Sequence, residues 1–244
     1  MRALSATELL RVWEAGATQT AAERALTLLA AASPEMPLDS LARLSIGRRD
    51  TLLFILRAWM FGSGLVGLAQ CSACAEQIEL TFDTADILSK YEQSRVEEFS
   101  LSMEDCQVRF RLPTSNDLIA LSDATDIATF RNRLLEHCLV AAQLNGQPVS
   151  ASNLPSAAVK ELVEQIGRAD PQGDIQMILC CSSCKRELQA ALDIVSFFWT
   201  EINSWAMRML REIHSLASTY GWTESDILAM SAARRQVYLE LVQA

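Results

Sequence analysis

The sequence predicts an α+β fold, mainly α, with helical N- and C-terminal regions around a small β unit that is itself interrupted by a helical insertion. Three observations carry this. The segments Cys71-Ser-Ala-Cys74-Ala-Glu-Gln-Ile-Glu-Leu-Thr-Phe-Asp83 and Cys181-Ser-Ser-Cys184-Lys-Arg-Glu-Leu-Gln-Ala-Ala-Leu-Asp193 share apolar offsets, Ile78/Leu188 and Phe82/Leu192, and each ends on aspartate twelve positions after its first cysteine. Residues around both alternate between apolar and polar, the period of a strand. Elsewhere apolar residues recur at three- and four-residue spacing behind serine, threonine or aspartate, the pattern of capped amphipathic helices.

Residues 1–64 form the N-terminal helical region. Ser5-x-x-Glu8 is a capping-box signature opening a helix of Leu9, Leu10, Val12 and Trp13; Thr20 caps a second that runs through Leu26, Leu28 and Leu29 to Ser33-Pro34. Leu41 and Leu44 suggest a short helix after Pro37. Ile46-Gly-Arg-Arg-Asp50 leads into Leu52, Leu53, Ile55, Leu56 and Trp59, a helix apolar on most of its surface, hence central, and stopped by Gly62 and Gly64. Arg48 and Arg49 read as a solvated pair.

Residues 65–112 change period. Leu65-Val-Gly-Leu-Ala and Ile78-Glu-Leu-Thr-Phe frame the first Cys-x-x-Cys as a knuckle hairpin. Val96-Glu-Glu-Phe-Ser-Leu and Gln107-Val-Arg-Phe-Arg-Leu suggest a second hairpin turning at Met103-Glu-Asp105, and the polar stretch Ser89 to Arg95 reads as a loop or helix end. Residues 113–173 are the helical insertion, opened by Thr114-x-x-Asp117, with helices expected over Ser115 to Leu121, Ala128 to Gln143 and Ala157 to Gly167. Asp170-Pro-Gln-Gly173 then turns the chain into residues 174–193, a strand from Asp174 to Leu179 and the second knuckle.

Residues 194–244 form the C-terminal helical region. Ile194, Phe197, Phe198, Ile202, Trp205, Met209, Ile213 and Leu216 describe an amphipathic helix of about seven turns, which Gly221 is placed to stop. Thr223-x-x-Asp226 caps a short helix through Ile227 and Leu228; Ser231 caps the last, carrying Val237, Tyr238 and Leu241.

Two matched Cys-x-x-Cys pairs suit four thiolates, Cys71, Cys74, Cys181 and Cys184, around one tetrahedral Zn2+, because a two-residue gap lets a tight turn aim both sulfurs at one point. Such a site has no open coordination position, so the metal is structural. The alternatives are a redox dithiol and unliganded cysteines. A thioredoxin-like centre needs Cys-x-x-Cys at a helix start, and here strand-like residues follow both pairs. Cys106, Cys138 and Cys180 are read as buried small hydrophobes. Ala75 and Lys185 follow the second cysteines, where glycine most easily adopts the positive φ of such turns. With 106 residues between Cys74 and Cys181, distant parts of the chain complete the ribbon.

Composition excludes several functions. Half of the 244 residues are hydrophobic, enough for a sizeable core, and the formal net charge is −9. An acidic chain is repelled by phosphate backbones, and the segment from Lys185 onward, with six basic against seven acidic residues, offers no net attraction. The last three helices resemble a helix-turn-helix in outline, but charge argues against that use. The most apolar stretch, Thr51 to Ala69, contains Arg57 and Gly62-Ser-Gly64, so no membrane span is expected. Seven cysteines without a signal-peptide pattern point to a reducing cytoplasm, where metal binding is favoured over disulfides. His137 and His214 have no identifiable nucleophile beside them and read as structural; no phosphate loop or paired-carboxylate motif is present, and no enzyme is expected.

Leu44-Ser-Ile-Gly-Arg-Arg-Asp-Thr-Leu-Leu, Leu112-Pro-Thr-Ser-Asn-Asp-Leu, Ala169-Asp-Pro and Asp193-Ile-Val-Ser-Phe-Phe-Trp199 resemble the T4-type baseplate hub assembly chaperone family of contractile-tailed phages and phage-tail-like contractile injection systems. Glu212-Ile-His-Ser-Leu-Ala-Ser-Thr-Tyr-Gly-Trp-Thr-Glu-Ser-Asp-Ile-Leu and Ser231-Ala-Ala-Arg-Arg-Gln-Val-Tyr-Leu extend the resemblance to the C-terminus. The family's knuckles typically read Cys-Pro-x-Cys-Gly; here Ser72 and Ser182 replace proline and the glycines are missing, which leaves the ligands intact. The resemblance implies a non-enzymatic assembly chaperone or minor hub component, with hub or spike proteins as partners, cytoplasmic or incorporated into a particle. Trp222, Arg234, Arg235 and Tyr238 are candidate partner contacts, with helix packing and solvated charge as the plainer explanation. A redox-responsive zinc chaperone and a nucleic-acid-binding ribbon are the competing functions.

Overall fold

Each capping signal in the N-terminal region starts a helix. Ser5 and Thr20 form complete capping boxes with Glu8 and Glu23 at the heads of α1 (Ala6–Ala15) and α2 (Ala21–Ala32). These reciprocal bonds satisfy amide groups that a helix start otherwise leaves unpaired. A short α3 (Leu38–Ala42) precedes α4 (Ile46–Phe61), which Gly62 ends at φ +93°. The computed structural model describes residues 1–88, 97–103 and 105–243. The expected loop from Ser89 to Arg95, the start of a strand at Val96 and the turn residue Glu104 lie outside the described residues.

The first knuckle is the antiparallel hairpin of β1 (Gly64–Gln70) and β2 (Gln77–Asp83), in register from Gly64↔Asp83 to Gln70↔Gln77. It leads into α5 (Thr84–Leu88). A separate sheet contains β3 (Phe99–Met103) and β4 (Cys106–Phe110), the expected second hairpin. The insertion follows with α6 (Ser115–Ala120) and α7 (Ile127–Cys138). Here one expectation fails: the helix expected to reach Gln143 stops at Cys138, and β5 (Leu139–Leu144) pairs with β4, placing Val108 opposite Ala142. A two-stranded hairpin is marginal alone, and β5 gives β4 a partner on its other side. The overlooked signal is Asn145-Gly146, whose φ values of +51° and +75° form the Asn-Gly turn that joins hairpin strands, here β5 to β6 (Gln147–Pro148).

After α8 (Ser156–Ala169), the second knuckle pairs β7 (Ile175–Cys180) with β8 (Glu187–Leu192), from Ile175↔Leu192 to Cys180↔Glu187. Asp193 accepts from the amides of Val195 and Ser196 to start α9 (Ile194–Tyr220), which Gly221 closes at φ +69°. The expected stripe is buried at Ile194, Phe198, Ile202, Met209, Ile213 and Leu216. Thr223 and Ser231 then lead into α10 (Glu224–Ala229) and α11 (Ala232–Gln243).

The main core lies between α1, α2, α4 and α9, where Leu9, Leu28, Leu29, Leu53, Phe54, Leu56, Phe198 and Ile202 are sealed from solvent. Leu65 of β1 belongs to it, and Phe82, Ile175 and Leu192 pack against it, so both knuckle hairpins grow from one floor. A second core joins β3, β4 and β5 to α8 through Leu101, Val108, Phe110, Ala142 and Leu162; a third fastens α10 and α11 to α9. Among the described residues no helix is long and apolar enough to cross a membrane.

Several single-residue expectations change. Arg48 is exposed but Arg49 is buried and ion-paired with Asp50 at 2.7 Å, its Nη1 donating to Ser115 Oγ. Successive helical residues point about 100° apart, so on a helix buried over most of its surface one of an adjacent pair turns toward the core. Cys106 and Cys138 are buried as expected; Cys180 is exposed because it lies on the outward side of β7. His214 is exposed beside buried Ile213, on the outer side of α9. Val237 and Leu241 of α11 are also exposed.

The capping carboxylate of α6 does more than cap. Asp117 accepts from Thr114, receives a bidentate bond from Arg111 at 2.7 Å on each oxygen, and lies 3.3 Å from His137 Nδ1. Burial opposes its ionisation, yet the Arg111 and Thr114 bonds prevail and lower its pKa from 3.8 to about 2. A depressed carboxylate contributes stability that is present above its unfolded pKa and lost as pH falls through the folded value. Asp117→Asn is therefore expected to cost about 1.5–3 kcal/mol at neutral pH, and urea unfolding should show the difference from wild type shrinking between pH 5 and pH 2.

Candidate metal centre

The two Cys-x-x-Cys turns have the same backbone. In the first, Cys71 N–H donates to Glu76 O and Ala75 N–H to Cys71 O, each at 2.9 Å; in the second, Cys181 N–H donates to Arg186 O at 2.9 Å and Lys185 N–H to Cys181 O at 3.0 Å. Ala75 and Lys185 take up the left-handed conformation at φ +59° and +61°, accepting the strain that glycine would avoid. The likeness continues past the strands. Asp83 Oδ1 accepts from Ala85 N–H at 2.8 Å and Asp193 Oδ1 from Val195 N–H at 2.9 Å, so each hairpin ends in an aspartate that turns the chain into a helix.

All four sulfurs converge. Cys71 Sγ lies 3.6 Å from Cys184 Sγ, Cys74 Sγ lies 3.6 Å from Cys181 Sγ, and all four fall within 4.8 Å of one another. The pairing is crossed, first cysteine of one turn to second cysteine of the other, as two copies related by an approximate two-fold axis require. Four sulfurs at Zn–S distances of about 2.3 Å stand about 3.8 Å apart in a tetrahedron, so this set fits a tetrahedral thiolate-bound metal ion. Cys71 and Cys181 are buried, Cys184 is half-buried and Cys74 exposed.

Electrostatics point the same way. The amides of Ala73 and Cys74 donate to Cys71 and lower its pKa to about 6. At Cys74 the Glu76 amide also favours the thiolate, but loss of water and the hydrogen bonds with Cys181, Cys184 and Cys71 outweigh it and raise the thiol to about 12. A thiolate at Cys71 thus stands against a disfavoured one at Cys74. A divalent cation removes that conflict, since a coordinated thiol is deprotonated outright.

Two buried polar connections position the hairpins; Ser45, Gly47 and Asp170 lie in motifs that carry the family resemblance, but nothing in the motifs shows that they meet. Arg57, notable in the sequence only as a charge in an apolar stretch, donates to Gly62 O and Gly64 O at 2.7 Å and pairs with Glu201 of α9 at 2.5 Å. It thus fixes the foot of β1 against the helix that follows β8. Asp170, just ahead of β7, accepts from Ser45 Oγ at 3.1 Å and Gly47 N–H at 2.7 Å, tying the second hairpin to the head of α4.

Three of the four candidate contact residues of the C-terminal region, Trp222, Arg234 and Tyr238, sit together, and the fourth, Arg235, turns inward. Trp222 stacks on Tyr220 at 4.5 Å, Tyr238 meets Trp222 edge-on at 4.8 Å, and the Arg234 guanidinium lies 5.8 Å from the Tyr238 ring. Arg235 is buried, donating to Met230 O at 2.7 Å and Glu212 at 3.3 Å.

A family model described as T4 bacteriophage base plate protein matches residues 6–199. No curated protein and no solved structure matches the chain. The matched span runs from the head of α1 into α9 and takes in both cysteine turns, Gly47 and Asp170, while the C-terminal stretch from residue 200 lies beyond it. The chain therefore belongs to the T4 bacteriophage base plate protein family.

Proposed function

We propose that this protein is a non-enzymatic assembly chaperone or minor structural component of the baseplate hub of a phage-like contractile tail or injection system, held together by a structural zinc site of four cysteines. The observation that carries the reading is the family match over residues 6–199. Four converging thiols support the zinc: Cys71, Cys74, Cys181 and Cys184 would hold it, and bound zinc supplies cross-linking, since four protein ligands leave no position for a substrate. The proposed partners are hub or spike proteins, met in the cytoplasm or within the particle, with Trp222, Arg234 and Tyr238 as the C-terminal contact group and the buried Arg235 bracing it from inside. The same reading treats residues 1–64, 65–112, 113–173, 174–193 and 194–244 as successive working regions of one scaffold.

Co-expression with the genes for neighbouring hub and spike proteins tests this. One of those proteins should co-purify, and intact mass with metal analysis should show one zinc per chain and no disulfide. Normal particle assembly after deletion of the gene would overturn the reading. The exposed Cys74 and half-buried Cys184 also favour a second reading, a redox-responsive zinc chaperone, because an oxidant can reach them. That alternative requires zinc release and a gain of client binding under peroxide.

A further inference from the structure

We infer that the half-exposed face of α4 is a groove for an amphipathic helix of a partner protein, one that presents a carboxylate to Arg48. The inference rests on the docking role proposed above and gives it a place. α4 is central, with Leu53, Phe54 and Leu56 sealed in the core, while on its opposite side Arg48 is exposed and Leu52 and Ile55 are half-buried. Arg48, Thr51, Leu52 and Ile55 line a cavity of about 410 Å³ there, closed at the sides by Met36, Leu44 and Leu88. Trp59, one turn beyond Ile55, is 51% exposed and prolongs the same face. From Arg48 to Trp59 the stripe runs about 16 Å, or three helical turns, which matches the i, i+3, i+4, i+7 anchors of a helix laid in a groove.

Charge decides the occupant. Arg49 and Arg57, on the other faces of α4, are ion-paired within the chain at 2.7 Å and 2.5 Å, whereas among the described residues no ion pair reaches Arg48. Asp170 feels the charge of Arg48, yet its oxygens are taken by Ser45 and Gly47. An apolar trough with an exposed guanidinium at its end that makes no ion pair among the described residues selects an apolar helical face with Asp or Glu at the matching end. Leu44, Leu52 and Leu88, which line the trough, also pack on the main core.

The test uses the full chain co-expressed with the neighbouring hub and spike proteins, with a photoreactive phenylalanine analogue at position 55 and, separately, at Leu68, which is 70% exposed on β1. Position 55 should cross-link to an acidic amphipathic helix of a hub or spike protein, and position 68 should not. Arg48→Glu and Trp59→Ser should each weaken that complex by about tenfold or more, with thermal melting and zinc content unchanged. A hub protein that co-purifies undiminished with both variants, or cross-links only at position 68, overturns the groove and leaves the docking role standing. Cross-linking to a second copy of this chain, or an apolar small molecule retained in native mass spectra, assigns the groove to another occupant and also overturns it. If no hub or spike protein co-purifies with the wild type, the docking role and the groove fall together.

Discussion

Cys181→Ser is expected to abolish stable metal binding and to release both knuckle hairpins, though 106 residues separate Cys74 from Cys181. The sulfur is fully buried and crosses to Cys74 at 3.6 Å, so an oxygen there would remove one of the four proposed ligands and loosen the opposite turn. A structural zinc site contributes an apparent 10–16 kcal/mol, roughly, against about 5–15 kcal/mol for the stability of a whole domain. The effect should not be uniform. The feet of the hairpins at Leu65, Phe82, Ile175 and Leu192 remain seated on the main core, while the tips are two-stranded ribbons that are marginal alone. Hydrogen exchange should rise most from Gln70 to Gln77 and from Cys180 to Glu187, the two turns, and zinc measured on the purified protein should fall from one per chain to near zero. Cys180→Ser, beside it but facing outward, should change neither. Unchanged zinc and unchanged protection in Cys181→Ser would remove the metal from the account of this fold.

What was legible in the sequence follows from which forces are local. Capping boxes at Ser5, Thr20, Thr114 and Thr223 are four-residue signals, and all are formed. The cysteine pairs were legible for a related reason: a repeated turn with repeated flanks has few physical purposes, and the shared backbone at Ala75 and Lys185 shows it was one device. Reading failed where a distant partner decides. Leu139-Val-Ala-Ala-Gln-Leu continues a helical pattern locally, and becomes β5 because β4 offers an open edge. Arg49 looked like half of a solvated pair, and only the packing of α6 against the head of α4 explains why it is buried beside Ser115. Arg57 and Asp170 show their roles only when α9 and the end of α8 are placed next to α4.

Gly47→Ala is expected to destabilise the fold by about 2–4 kcal/mol, a large penalty for one methyl group. A Cβ at this position would stand 2.3 Å from Asp170 Oδ1, 2.7 Å from its Cγ and 2.8 Å from the backbone nitrogen of Gly173. The carboxylate cannot simply retreat, because its burial is offset by the very bonds from Ser45 Oγ and Gly47 N–H that hold it there. Moving it leaves a buried charge with fewer donors, and leaving it forces α4 away from the turn that feeds β7. The consequence extends to the metal centre, since that turn sets where Cys181 arrives. Chemical denaturation of Gly47→Ala, Asp170→Ala and the double variant should show a coupling of about 1 kcal/mol or more between neighbours, with the double variant less destabilised than the two single costs added. The Gly173 backbone would still resist the new Cβ, so some penalty should persist without the carboxylate. Strict additivity would mean that Gly47 and Asp170 act separately, and would remove the link proposed between the head of α4 and the second knuckle.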